Sequence, residues 1–179
     1  MSDDPPVWLR ATRCAGRVVT LLFQHRLRLR RDRVGAWVAL PDGRRFEVFR
    51  ESSCTTDAAS PVLLAVWFRL RAIPPGARRR RWLFERACIV NTLLFAGCEG
   101  FLVKLWMVDP ATSDYAGLYS WRTAPEAARY GRYITAILRP WCVRGSLGFE
   151  VFENLTLDGY LDASARGDGS DRARPAGRV

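Results

Sequence analysis

The residue best suited to chemistry in this sequence is Lys104, the only lysine among 28 basic residues. It lies in the apolar stretch FLVKLWMV, where strand alternation puts Leu102 and Trp106 on the same side as the amine. A lysine that points into an apolar pocket can stabilise an enolate or phenolate, or pair with an acidic ligand. The alternative is structural, with the amine reaching solvent or pairing with an acid such as Glu150.

Aromatic residues supply most of the other candidate site groups. Tyr119 and Trp121 share one side of the next predicted strand, and Tyr130 lies on the helix that follows. A buried tyrosine can donate a proton to a ligand, although its ordinary role is packing with the hydroxyl at solvent. Arg122, just after that strand, is a candidate for holding an anionic group. The catalytic candidates are Lys104 and Tyr119, and the substrate-binding candidates are Trp67, Trp106, Trp121, Arg122 and Tyr130.

The sequence offers little for a metal or a bound cofactor. The five cysteines include no C-x-x-C pair, and His25 is the single histidine. The sequence therefore favours neither a zinc site nor a Ser-His-Asp triad. The cysteines are interpreted as buried or inert thiols. Neither a P-loop nor a G-x-G-x-x-G motif occurs. We expect no cofactor and no metal.

The net charge of +10 raises the question of nucleic-acid binding. The basic residues are spread out, with eight in residues 1–33 and thirteen in residues 61–157. A nucleic-acid binder concentrates such charge among groove-reading or stacking elements, so this class of function is the least favoured. No apolar run reaches the roughly 18 residues of a membrane span, and Asp3 and Asp4 do not suit a signal peptide. We expect a cytoplasmic protein.

Residues 1–60 predict an extension ahead of the main domain. Residues 5–31 follow helical spacing, although residues 23–30 alternate like a strand, and we predict a helix. This basic helix lies either on an anionic membrane surface or, as is more usual, over a core. Residues 35–40 and 45–50 predict a hairpin about the turn Pro41-Asp42-Gly43-Arg44, and the small polar residues 52–60 predict a linker.

Residues 61–157 predict an α+β domain with the order β-α-β-β-α-β. The strands are expected at 62–73, 101–108, 115–121 and 146–153, and the helices at 77–96 and 123–138. Thr123 is the expected N-cap of the second helix, with Pro125 in its first turn and Glu126 three residues on. This order is the split βαβ arrangement of ferredoxin-like folds. Residues 158–179, rich in Gly, Asp and Arg, are predicted to be a disordered tail.

Both faces of the predicted sheet are apolar. One side of residues 101–108 carries Phe101, Val103, Leu105 and Met107, and the other carries Leu102, Lys104, Trp106 and Val108. Because two helices cover only one face, the second face needs a cover, and a second copy of the sheet would supply it. We therefore predict a homodimer whose two sheets close into a barrel around an apolar pocket.

Three motifs in this domain resemble a known family. They are EGFLVKLW ending at Trp106, AGLYSW ending at Trp121, and TAPEAARY ending at Tyr130. Together they resemble the YdhR-type monooxygenases of the dimeric α+β barrel superfamily, over residues 61–155 and most strongly over 99–130. The resemblance implies a cofactor-independent oxygenase acting on a polyketide-like aromatic, with Trp121 at the position of a tryptophan common in that superfamily's sites. The asparagine on the first strand and the histidine of heme-degrading members have no counterpart here.

The expected function is that of a small homodimeric enzyme, an oxygenase or cyclase, acting on an apolar or aromatic secondary metabolite. The alternative is a non-catalytic protein that binds an apolar ligand or a protein partner. An enzyme pocket needs at least one polar group in a perturbed environment, whereas the pocket of a simple carrier can be wholly apolar. Lys104 is the residue whose surroundings decide between them.

Overall fold

A computed structural model describes residues 27–54, 61–95 and 98–166, and for residues 27 and 89–95 it describes the backbone alone. This part of the chain has an α+β fold in which seven strands form one antiparallel sheet. The strands are β1 Leu27–Arg30, β2 Trp37–Ala39, β3 Arg45–Cys54, β4 Val62–Arg69, β5 Phe101–Val108, β6 Asp114–Trp121 and β7 Gly148–Phe152. The helices are α1 Arg78–Phe95, α2 Ala124–Leu138 and α3 Leu157–Ala165.

The predicted element order from β4 to β7 is confirmed. The strand order across the sheet is β1-β3-β5-β6-β4-β7, with β2 paired beside β1 along the same edge of β3. The hairpin of β2 and β3 is confirmed too, and through the pairing of β3 with β5 it continues the same sheet. Thr123 precedes α2 as expected, but its hydroxyl bonds the carboxylate of Glu126 instead of a backbone N–H.

The sheet has two buried faces. The helix-side face, covered by α1 and α2, carries Val62, Leu64, Val66, Phe101, Trp106, Tyr119 and Trp121. The second face carries Leu63, Ala65, Leu105, Met107, Ala116, Leu118 and Phe152. The predicted alternation is thus correct for most positions. Phe101 is the exception, because the register between β5 and β6 shifts between Phe101 and Val103 and moves its ring to the side of Trp106.

The second face is not bare, contrary to our expectation. Its central side chains are fully buried within the chain, under Leu157 and Tyr160 of α3 and Val38 of β2. The Tyr160 hydroxyl donates a 2.5 Å hydrogen bond to the carbonyl of Ala39, and the N–H of Ala39 donates to the Ser164 hydroxyl. The chain therefore supplies the cover for which we invoked a second copy, and the homodimer stays a prediction.

Three local predictions are wrong where the structure describes them. Residues Leu27–Arg30, expected at the end of a helix, form β1 and pair with residues 51–54, while residues 5–26 lie outside the described part. Residues 52–54, expected in a linker, continue β3. The chain after Leu157, expected to be disordered, forms α3, with Thr156 as N-cap accepting a hydrogen bond from the N–H of Gly159. Residues 167–179 lie outside the described part.

Candidate functional site

Lys104 lies on the helix-side face of β5 and is 3% exposed. Its Nζ lies 3.1 Å from the centroid of the Trp106 ring and 4.6 Å from that of Tyr119 on the neighbouring strand β6. The acid suggested as its structural partner, Glu150, pairs in register with Ala65, whose side chain belongs to the second face. The amine therefore lies among aromatic rings beneath the helices, whereas Glu150 lies on the opposite face of the sheet.

The pKa of Lys104 lies well below its ordinary value, chiefly because full burial penalises the ammonium form. The Arg50 charge lowers this pKa further, and Cys88 opposes the shift. The ring faces of Trp106 and Tyr119 also favour the ammonium, but cation–π contacts contribute only about 0.5–2 kcal/mol. Because one pKa unit corresponds to about 1.4 kcal/mol and complete burial shifts a lysine by up to about 3–5 units, burial prevails.

Arg50 is a site residue that the sequence analysis missed. It lies opposite Trp106 in the pairing of β3 with β5, directly after a register shift between Val48 and Arg50. Its Nη1 is buried and has no hydrogen-bond partner among the described residues. An unmet buried N–H is costly, so this side of the site suits an oxygen acceptor that the described part of the chain does not provide. The alternation of residues 45–50 indicated a strand, but it gave no sign of the bulge that redirects Arg50.

The aromatic residues predicted for the site form one connected layer under α2. The Trp106 Nε1 donates to the Ser52 hydroxyl at 3.3 Å, and the Tyr130 ring lies 5.2 Å from Tyr119 and 4.9 Å from Trp121 between centroids. Burial raises the pKa of both Tyr119 and Tyr130, so each remains a neutral phenol that can donate but does not act as a phenolate base. The structure therefore brings these rings together with Lys104 as predicted, but between the sheet and its own helices and not in the predicted pocket between two sheets.

Two predicted site residues lie elsewhere. Trp67 packs with the second-face cluster, on the opposite side of the sheet from Lys104. Arg122 is at the surface after β6, where it bonds Glu126 at 2.7 Å and lies 3.6 Å from Glu99. The hydrogen bond that Arg122 donates to Glu126 raises the pKa of the arginine. Strand alternation in β4 predicts the position of Trp67, because Val62, Leu64 and Val66 occupy the helix side.

A small cavity of about 20 Å³ adjoins Lys104. It is lined mainly by aromatic and aliphatic side chains, including Phe49, Phe84, Tyr115 and Ile134. A volume of this size holds about one water molecule, so an apolar metabolite enters only if the covering elements move. Gly117 keeps the space open: a Cβ there would lie 2.8 Å from a ring carbon of Tyr119.

Helix α1 closes the site through Phe84 and Cys88. The Phe84 ring meets Tyr115 edge to face, with 4.7 Å between centroids. Cys88 is buried, and burial raises the pKa of its thiol to about 11. A thiol with that pKa is protonated at neutral pH and is a poor nucleophile, which agrees with the predicted inert role of the cysteines. Within the described ranges, no group of three His, Cys, Asp or Glu residues is placed to hold a metal ion.

Comparisons of the chain with protein-family models, with curated proteins and with solved structures find no match.

Proposed function

We propose that the protein is a small enzyme in which Lys104 removes a proton from an apolar, polyketide-like or other aromatic metabolite bound between the sheet and α1. The observation that carries this proposal is the burial of a lone lysine whose pKa is driven down among aromatic rings. At neutral pH a lysine with a lowered pKa is a general base, a role closed to an ordinary exposed lysine.

The proton transfer needs only groups that the site contains. The neutral amine of Lys104 takes a proton from a weakly acidic carbon or hydroxyl of the ligand and becomes an ammonium, leaving an enolate or phenolate. The N–H of Arg50 donates a hydrogen bond to the developing oxyanion, and the new ammonium of Lys104 pairs with the negative charge of that oxyanion. Tyr119 donates from its phenol, and the surrounding rings exclude water.

Two reactions follow from such an anion without a bound cofactor. In a cyclase, the enolate carbon attacks a carbonyl of the same molecule, and the alkoxide formed takes back the proton from Lys104. In an oxygenase, the anion itself is the reductant: it transfers an electron to molecular oxygen, which enters as co-substrate, and the two radicals combine to form a carbon–oxygen bond. The peroxide takes the proton from Lys104 and then loses water, with the hydrogen of the oxidised carbon, to leave a carbonyl. We include both reactions because Lys104 performs the same first step in each.

For the fold, we propose that β4 to β7 with α1 and α2 form a ferredoxin-like module. The order β7-β4-β6-β5 with all neighbours antiparallel supports this assignment, and it agrees with the resemblance of three motifs to the YdhR-type monooxygenases. The proposed reaction requires one copy of the chain, since every group named for it comes from the same sheet and helices. A homodimeric barrel would need a contact other than the second face that α3 occupies.

A second candidate is a non-catalytic module that binds an apolar ligand or a partner protein. The observation in its favour is the size of the cavity, which at about 20 Å³ does not admit a metabolite in the present arrangement. Under this alternative Lys104 is a cation held by two ring faces, and its amine stays protonated.

The single lysine makes the test direct, because protein labelled with ¹³C at lysine Cε gives one side-chain signal that follows Lys104. We expect a titration midpoint well below that of ordinary lysine, and a higher midpoint in Arg50→Gln because the positive charge is removed. Arg45→Gln removes an exposed charge from the same strand and should leave the midpoint unchanged. A midpoint at or above the ordinary value would contradict the general-base role.

Turnover is tested with a panel of phenolic polycyclic aromatics and 1,3-dicarbonyl compounds, following oxygen uptake and product absorbance. For any compound converted, Lys104→Met should lower kcat by about 10²-fold or more, the usual contribution of a positioned base. Arg45→Gln is the matched control and should retain full turnover. Tight binding of a compound without conversion would support the carrier instead.

A further inference from the structure

The outward side of α1 carries an unusual stripe. Arg79, Trp82, Leu83 and Arg86 follow the spacing i, i+3, i+4 and i+7, which places them on one side of the helix, and all four are exposed. Trp82 is 53% and Leu83 57% exposed. The Arg86 guanidinium lies 4.8 Å from the Trp82 ring centroid. A helix that covers a core normally presents polar residues outward, whereas this outer stripe presents two large apolar side chains between arginines.

The surroundings of the outer stripe are strongly basic. Arg78 and Arg80 are exposed in the first turn of α1, and Arg80 donates to the carbonyl of Ala72 in the loop before the helix. Beyond that loop Arg71 and Arg144 are exposed as well. The one acid within the described side chains of α1, Glu85, is half-buried beside Arg81 at 3.5 Å. Among the described side chains of α1, the positive charge of the arginines therefore exceeds the negative charge of the one acid.

A second pair of exposed apolar residues adjoins this basic region. Trp141 and Val143 lie in the segment after α2, and both are exposed. This segment is tied to the loop before α1, because the N–H of Arg71 donates to the Trp141 carbonyl at 3.0 Å and its Nε donates to the Cys142 carbonyl. Arginine, tryptophan and aliphatic side chains thus occur together on two neighbouring segments.

We propose that the outer stripe of α1 docks on the surface of an anionic phospholipid bilayer. Exposed Trp and Leu side chains enter the headgroup boundary, and the nearby arginines are attracted to anionic lipid. Leu83 and Val143 offer no π-face to a nucleic-acid base, and Arg86 already covers one face of Trp82, so a bilayer fits this surface better than a single-stranded nucleic acid. No helix in the described ranges combines the length and hydropathy of a membrane span.

The two sides of α1 connect this surface with the Lys104 site. Phe84 and Cys88 face the site, while the outer stripe lies across the helix, a distance of about 10 Å. The cavity admits a metabolite only if α1, which covers it, moves. Docking would place α1 at a bilayer into which apolar compounds partition, and the bilayer would then supply them to the site. This supply role rests on the proposed function, whereas the docking itself does not.

Vesicle co-sedimentation of the full chain tests the docking. We expect binding to vesicles of equimolar phosphatidylcholine and phosphatidylserine, weakened by salt, and little binding to phosphatidylcholine alone. The double variant Trp82→Ser/Leu83→Ser should bind about tenfold more weakly or worse because it loses the inserted apolar area. Arg79→Gln/Arg86→Gln should also lose about tenfold, and the salt dependence should become shallower.

Trp37→Ser is the matched control, because Trp37 is 49% exposed on β2 with the Arg45 guanidinium 5.7 Å from its ring centroid. It removes the same chemistry from another element and should bind vesicles like the parent. Equal losses in the Trp37 and Trp82 variants, or no binding to anionic vesicles, would overturn the proposal. So would Trp82-dependent binding of a labelled single-stranded oligonucleotide without vesicle binding. Lys104→Met should dock normally, so a failure of docking is distinguishable from a failure of the proposed chemistry.

Discussion

The second face of the sheet buries aliphatic side chains against one another, whereas the helix-side face buries Lys104, part of Arg50 and several tyrosines. On the second face Leu63, Leu105 and Leu118 are fully buried, and the buried carboxylate of Glu51, opposite Leu105, is paired with Arg33. On the helix-side face the chain accepts the desolvation of an amine, an unmet guanidinium N–H and a cavity. These features lower the stability of the fold. The sheet does not need a buried amine for its packing, because the second face is packed without one.

The difference between the faces separates stability from function within one layer of strands. A sheet alternates its side chains, so the same β5 contributes Leu105 to one face and Lys104 to the other. A cluster of costly groups around a cavity, as on the helix-side face, is typical of a site, because sequences depart from good packing where function requires it. The second face, held by α3 and β2, then supplies the stability that the site reduces.

The largest expected effect comes from removing a packed side chain on the second face. Leu118→Ala should lower the free energy of unfolding by about 4 kcal/mol, because a fully buried leucine leaves a cavity that its neighbours cannot fill. Ile134→Ala, on α2, should cost only about 2 kcal/mol, since Ile134 already lines a cavity. Urea unfolding measures both values. Equal losses would contradict the view that the two faces are packed differently.

A charged contact also secures the second face. Arg33 pairs with the fully buried carboxylate of Glu51 at 2.5 Å and with Asp158 of α3 at 2.7 Å, while the other Glu51 oxygen is buried without a hydrogen-bond partner. Arg33→Met should therefore cost about 2–3 kcal/mol, because it leaves a buried carboxylate unpaired. Arg30→Met is the control: the exposed pair of Arg30 and Asp32 at 2.5 Å contributes at most about 0.5 kcal/mol. A loss below 1 kcal/mol for Arg33→Met, about that of an exposed pair, would mean that α3 does not depend on this contact.

Much of the sheet could be predicted from the sequence, because its strands alternate and its turns carry Gly, Pro and Asp. The bounds of β5 were predicted correctly, and those of β6 and α2 to within one residue. The common side of Lys104 and Trp106 was predicted correctly too. The cover of the second face was not predictable by the same means. Residues 157–165 have a Gly- and Asp-containing composition that resembles a tail, and only contacts with Ala39 and the second face make them a helix.

The site was predictable in part for a related reason. An isolated lysine in an apolar strand is visible in the sequence, and so are the aromatic residues at strand spacing. Arg50 was not visible as a site residue, because a register shift beside it decides which face it occupies. Ser52, which accepts from Trp106, was assigned to a linker because its small polar neighbours resemble one. Bulges and long-range strand pairing lie beyond what local spacing can indicate.

The smallest expected effect is a gain in stability from the helix-side face. Lys104→Met replaces the amine with an apolar side chain of similar length and should raise the free energy of unfolding by about 1 kcal/mol near neutral pH, since the removed desolvation cost exceeds the lost ring contacts.

The unfolded chain holds the Lys104 proton up to about pH 10.4, whereas the folded chain releases it at lower pH. Between these two pKa values the unfolded state binds more protons, so the stability of the parent rises with pH relative to the variant. The stability advantage of Lys104→Met is thus greatest below the folded pKa of Lys104 and decreases as the pH approaches the pKa of free lysine. Urea unfolding of both proteins across this range measures it, and the titrations of Cys88 and the tyrosines largely cancel in the difference. A variant less stable than the parent at neutral pH would show instead that Lys104 is a charged group stabilised by its rings, and the helix-side face would then be packed for stability like the second.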